Sequence, residues 1–410
     1  MDPDGLRDVV EQVGEVAERL GLPLWPVHFE LVPSTDLPRL AAYGGLPVRY
    51  AHWSFGKQWG RLKTAYDYRQ SQIYEMVINH HPAYAYLDAS LSRARTLVVV
   101  AHVLAHVHVF RQHRLFRDVP KDAVAIMARH RRQFEAWRRT YGLGAVESLI
   151  DAAHPWMEFV GRPGTSCGED PQDVLGFVVR YGSCLADWER ELLAALWREG
   201  RYFWPQVLTK VVNEGYATFW HRRIVREVAL KGPEAWEVAK MQSELLAVHP
   251  PELNPYRLGV YLLDEAWASS GAAAVEDAAT FLDDCGLVRT WLTPRTAARI
   301  GLGVVSLRDG APAAPTLPFE DLKARLVRDL DHGGIPRLEV DREATRPGGT
   351  LVLRHCHDGR DLDFEPLPRV LEGMARHLWR GPVVLHTRRH DTPHRLTCEG
   401  GRCLDFAGES

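Results

Sequence analysis

The chain has 410 residues, 46% hydrophobic, 25% charged and 10% aromatic, a globular composition with ample apolar material for a core. Its 50 Lys and Arg against 53 Asp and Glu leave a formal net charge of −3, which gives no electrostatic case for nucleic acid. Six irregularly spaced cysteines do not make a disulfide framework, no run reaches the ~18 apolar residues of a membrane span, and a reduced, cytoplasmic protein is expected.

The N-terminus, MDPDGLRDVVEQVGEVAERLGL, is acidic and amphipathic and lacks the parts of a signal peptide. Its spacing predicts a first helix over Val9–Leu20, followed by the aromatic loops LPLWPVHFELVP and YAHWSFGKQWG. Glu75, in YEMVINHHP, stands among apolar residues and is a candidate ligand or base. His80 and His81 precede Pro82 and read as turn residues.

A second helix is predicted over Leu97–Phe110, where VVVAHVLAHVHVF carries three histidines. One isolated imidazole in such a run reads as a core residue. Residues i and i+4 lie ~40° apart on a helix, however, so His102 and His106 share a face and can grip one ion together. His113 falls near the same stripe, whereas His108 points elsewhere.

Further helices are predicted over Ala123–Tyr141, Val174–Tyr181, Trp188–Trp197, Trp204–Val228 and Glu276–Cys285. The arginines of RHRRQFEAWRR read as a solvated helix face, and His154 as the close of a helix before Pro155. In TKVVNEGYATFWHRRI, Glu214 sits in an apolar, aromatic stretch with His221 seven residues on. An unpaired carboxylate there would be costly to bury, and a cation or an imidazole would offset that cost. The combination H-x-x-x-H … N-E-G-x-A looks like the His₂Glu zinc set of gluzincin-type peptidases. A zincin also needs glutamate directly after the first histidine, and here that position is Val103. A proton-transfer group must come from elsewhere: Glu75, His108 or His221.

The stretch RDGAPAAPTLPFE marks a linker at 309–318, between a domain of residues 1–308 and one of 319–410. Beyond it IPRLEVDRE, GTLVLRHC and GPVVLHTRR read as strands, FEDLKARLVRDL and LPRVLEGMARHLW as helices. The expected architecture is a mainly α N-terminal domain with a zincin-like helical pair, plus a small α+β C-terminal domain. In that small domain Cys356, Cys398, Cys403, His355 and His357 are a weaker zinc candidate, against plain strand and turn cysteines.

Five phrases in order, AHWSFGKQW, IYEMVINHHPAYAYL, VVAHVLAHVHVF, FWPQVLTKVVNEGYATFWHRRI and LNPYRLGVYLLDE, resemble the SpoVR family (stage V sporulation protein R). The likeness covers most of residues 5–300. It implies a link to spore-cortex or cell-wall physiology, and a PrkA-type serine kinase and a von Willebrand-like protein as partners. The family typically reads HVxGHxDFFKNN around the second histidine. Here Ala105 replaces the glycine, His108 the aspartate, and Gln112 and His113 the asparagines, so the chain diverges from the pattern.

The resulting expectation is a hydrolase-like protein in which His102, His106 and Glu214 hold one Zn²⁺ and the substrate bond is an amide or peptide. Iron or manganese is the alternative metal. Two other classes stay open: a non-catalytic, metal-stabilised regulator or adaptor, and a di-iron carboxylate protein using Glu75, His102, His106, Glu214 and His221.

Overall fold

The computed structural model describes residues 1–67, 73–248, 253–303, 306–308, 311–313, 317–346 and 348–408. In chain order these form α1 (Pro3–Arg19), β1 (Val27–Val32), α2 (Leu37–Ala42), α3 (Trp53–Asp67), β2 (Glu75–Ile78), β3 (Ala83–Asp88) and α4 (Arg93–Gln112). Then come α5 (Ala123–Tyr141), α6 (Leu143–Ala153), α7 (Val174–Tyr181), α8 (Asp187–Leu208), α9 (Lys210–Glu227), α10 (Gly232–Leu245) and α11 (Pro255–Phe281). They are followed by α12 (Asp284–Trp291), α13 (Pro294–Ile300), β4 (Ser306–Arg308), β5 (Ala311–Ala313), α14 (Phe319–Leu330), β6 (Leu338–Val340) and β7 (Leu351–His355). The last elements are α15 (Leu367–Gly373), β8 (Val383–Arg389), β9 (Thr392–Glu399) and β10 (Arg402–Ala407). The fold is mainly helical, as expected, with its larger sheet at the C-terminus.

The chain divides into two compact units, residues 1–124 with 208–331 and residues 125–207 with 332–410. This differs from the division read from the sequence, and half of the expected linker at 309–318 lies outside the described residues. The reason is packing. Helix α14 lies against α12, with Lys323 Nζ donating to Leu292 O and Cys285 Sγ to Val327 O, so residues 319–330 belong with the first unit. Helices α5 to α8 belong with the C-terminal sheet.

In the first unit the apolar stripe of α1 (Leu6, Val9, Val13, Val16) is buried, and Asp2 caps the helix by accepting from Gly5 N–H. The small sheet has order β1-β3-β2, with β3 parallel to β1 and antiparallel to β2. Ser92 caps α4, and every residue from Thr96 to Phe110 is buried. That helix has the length and hydropathy of a membrane span, yet 89% of its most apolar window is inside the fold. A helix apolar on all sides is a core helix when others cover it, and α9, α1 and α10 do so here. Glycines set the closest crossing: a Cβ on Gly215 would stand 2.5 Å from the backbone of Gly259. The glycine of the N-E-G phrase therefore serves the α9–α11 contact. Sequence periodicity ran Trp204–Val228 together, but the chain breaks at Thr209 between α8 and α9.

The second unit has a five-stranded sheet of order β10-β9-β8-β7-β6, antiparallel except where β7 pairs with β8. Cys398 and Cys403 are register partners on β9 and β10 and form a disulfide. His355 Nδ1 is 2.9 Å from Thr387 Oγ1, and His357 Nε2 is 3.1 Å from Asp361. This corrects the C-terminal zinc candidate: two of its three cysteines bond to each other, which leaves Cys356 as a lone thiol, and its histidines bond to other partners. The only cluster of metal-ligand type among the described residues lies in the first unit.

Candidate metal centre

Helix α4 projects His102 and His106 from successive turns, with ring centroids 4.4 Å apart and planes at 87°. Helix α9 brings Glu214 between them, its Oε2 3.4 Å from Nε2 of each imidazole. Strand β2 adds Glu75, whose Oε1 is 3.9 Å from His102 Nε2. Nitrogens or oxygens of Glu75, His102 and His106 lie within 4.8 Å of one another.

Behind the rings stand two further groups. His106 Nδ1 is 2.9 Å from Asn213 Oδ1, and His102 Nδ1 is 3.0 Å from His221 Nδ1. An amide oxygen only accepts, so His106 carries its proton on Nδ1, and in the neutral ring Nε2 presents a lone pair. That lone pair faces the Glu214 oxygen, also an acceptor. Two acceptors meet there, and something positive must lie between them: a proton or a metal ion. Oε2 of Glu214 is buried and has no hydrogen-bond partner among the described residues. Ligand atoms about 2.0–2.1 Å from a tetrahedral zinc stand about 3.4 Å apart, which matches both nitrogen–oxygen separations. The donor set thus fits a zinc ion held by His102, His106 and Glu214.

The groups of the cluster are strongly coupled. Burial would raise the Glu214 carboxyl, but the two imidazoles outweigh it and hold that carboxyl well below the usual range. Burial pulls His106 down, and the Glu214 carboxylate more than offsets this and raises it. Burial raises Glu75, with the imidazoles only partly opposing. His221 is pushed well below 6.5 by burial and then by His102. Tyr256, on α11, stacks over His102 with centroids 6.0 Å apart. The Glu214 charge, followed by burial, raises its phenol well above 10, so it is an O–H donor at the centre.

Of the sequence candidates, His102, His106, Glu214 and Glu75 are thus brought together, and His221 stands one step back. His108 is not at the centre. Its Nε2 is 2.6 Å from Glu276 Oε1, its Nδ1 3.4 Å from Pro23 O, and its ring stacks on Tyr216. His113 caps a turn, its Nε2 donating to Leu282 O and its Nδ1 accepting from Leu115 N–H. Asn213 and Tyr256 were missed by sequence reasoning. Asn213 was visible as the neighbour of Glu214, whereas nothing local marked Tyr256.

A mainly helical protein with a buried His-His-Glu cluster is the class that fold and site define. The family profile described as SpoVR like protein matches residues 1–167 and 162–297, and the chain belongs to the SpoVR family. A similar curated protein is "Uncharacterized protein YcgB" of Escherichia coli (strain K12), 25% identical over 349 residues, covering 69% of this chain and 68% of that one. No solved structure matches.

Proposed function

We propose that this protein is a single-zinc hydrolase acting on an amide bond, with His102, His106 and Glu214 as ligands and Glu75 as the proton-transfer group. The observation that carries the reading is the pair of 3.4 Å separations between one buried carboxylate oxygen and two imidazole nitrogens. A zinc ion held there supplies Lewis acidity toward a carbonyl and acidity for a water ligand. Glu75 takes up the task that Val103 cannot perform: its carboxyl comes from a strand rather than from the histidine helix. Burial raises its pKa, the direction that makes a carboxylate a better base. Tyr256 holds a proton at its hydroxyl and is the donor suited to a developing oxyanion. His221 orients His102 through Nδ1 and does not reach out as a base.

A metal-stabilised regulator or adaptor is the second reading, favoured by valine at position 103. On either reading a PrkA-type serine kinase and a von Willebrand-like protein are the proposed partners, and cell-wall or spore-cortex material the proposed setting. Elemental analysis of wild type, His102→Ala and Glu214→Ala tests the centre: about one equivalent of zinc is expected, lost in both variants. Folded, stable wild type without metal would remove it. Glu75→Gln, keeping the metal and losing amide hydrolysis, separates the enzyme from the adaptor.

A further inference from the structure

The hairpin of β9 and β10 sets two cysteines directly opposite each other. Its open end fixes the phase of the ladder: Gly408 N–H donates to Pro393 C=O at 2.8 Å, so residues 393 and 408 are a bonded pair. Bonded and non-bonded pairs alternate along an antiparallel ladder. Residues 395, 397 and 399 are therefore bonded, and Cys398 meets Cys403 at a non-bonded position. Side chains approach most closely there, and the two Cα atoms are 4.1 Å apart. The two-residue turn Gly400–Gly401, with positive φ at both, already holds this register without a covalent bond. A disulfide stabilises most where it closes a long loop of the unfolded chain, and this one encloses only Glu399–Arg402. As a structural tie it adds little.

The other cysteines point the same way. Cys184 is exposed, and Cys167 and Cys356 are partly exposed, all as free thiols. Permanent disulfides belong to oxidising surroundings, where an accessible thiol beside them invites exchange; in reducing surroundings a disulfide is transient. Within the pair the two sulfurs differ in access, Cys398 being fully buried and Cys403 partly exposed. Arg376, on the helical turn Met374–Leu378, packs against Gly401 and makes no ion pair among the described residues. A cation beside the turn favours a thiolate there. We propose that Cys398 and Cys403 are a reversible thiol–disulfide couple that exchanges with a small-molecule disulfide of the glutathione type, Cys403 attacking and Cys398 resolving. The Cys403 thiolate attacks one sulfur of the small disulfide, a mixed disulfide forms, and one small thiolate leaves. The Cys398 thiolate then attacks Cys403 Sγ, closing the protein disulfide and releasing the second small thiolate. Two protein thiols are oxidised, the small disulfide is reduced to two thiols, and the two protons that the protein loses pass to them. None of this depends on the His-His-Glu cluster or its reaction.

The test uses the full chain with glutathione as the probe, and reads each cysteine by alkylation and peptide mass spectrometry. Glutathione disulfide should join Cys398 to Cys403, and a buffer rich in reduced glutathione should reopen the bond while circular dichroism shows the fold unchanged. With Cys398→Ser the reaction should stop at a mixed disulfide on Cys403. With Cys403→Ser, Cys398 should take up glutathione at least about tenfold more slowly, because it is buried. Should either variant fail to fold, the wild-type mapping decides, with mixed disulfide caught on Cys403 at short times. Oxidised wild type without the Cys398–Cys403 bond would overturn the proposal. So would a bond that resists reduced glutathione until the chain is unfolded, which marks a structural tie, or equal reactivity of the two thiols.

Discussion

At His106 a single hydrogen bond decides what the centre can hold. Because Asn213 Oδ1 accepts from Nδ1–H, Nε2 turns its lone pair toward Glu214, and His221 braces His102 from the same side, Nδ1 to Nδ1 at 3.0 Å. The i, i+4 spacing exposed the two rings in the sequence, and the apolar surroundings of Glu214 exposed the carboxylate. Tyr256 had no comparable signal, because its place comes from how α11 crosses α4, a tertiary fact. Cys398 and Cys403 are the strand cysteines that the sequence favours over a zinc site, and their pairing follows from the turn between them: Glu-Gly-Gly-Arg is a hairpin turn, with φ of +58° and +79° at Gly400 and Gly401.

Asp284 carries a pH prediction at the same scale. It is buried, accepts from Val212 N–H at 2.9 Å, and burial raises its carboxyl to about 7 from an ordinary 3.8. The folded state then binds the proton more tightly than the unfolded one. Its contribution to stability is complete below pH ~4 and is lost as the pH rises through about 7, by up to ~4 kcal/mol. Asp284→Asn keeps the acceptor and removes the charge. Denaturant titrations from pH 4 to 8 should show a downward slope for wild type that is flattened in the variant, with the variant more stable at pH 8.

At the level of elements, the N-E-G phrase joins two functions in adjacent residues. Glu214 faces the centre, and Gly215 lets α9 and α11 touch backbone to backbone. Gly215→Ala would set a methyl 2.5 Å from the Gly259 Cα and force the helices apart. The expected loss is about 1–3 kcal/mol, read from denaturant midpoints, despite alanine's better helix propensity. On the proposed zinc reading, metal affinity should fall with it, since α9 carries Glu214. Helix periodicity located most of these elements. It could not locate the break at Thr209, because both α8 and α9 are apolar where they meet.

Across the whole molecule, the division into units follows three-dimensional packing, and local composition gave no view of it. Proline-rich sequence suggested a cut near 318, but that cut would take α14 from α12 and the entire five-stranded sheet from α5 to α8. A chain ending at residue 318 should therefore be insoluble or melt well below the full chain, as thermal denaturation and soluble yield would report. If 1–318 retained the full chain's melting temperature, the sequence division would stand instead.

The burial of α4 also bears on how the chain is made. Its apolar wall is finished by residue 112, whereas α9, which covers it, begins at residue 210. Between them lies a stretch that builds mainly into the other unit. At about 5–20 residues per second, the ribosome leaves that wall bare for roughly 5–20 s. Nascent chains of this protein are therefore expected to lean on chaperones during that interval, and refolding from denaturant to be slow and sensitive to concentration.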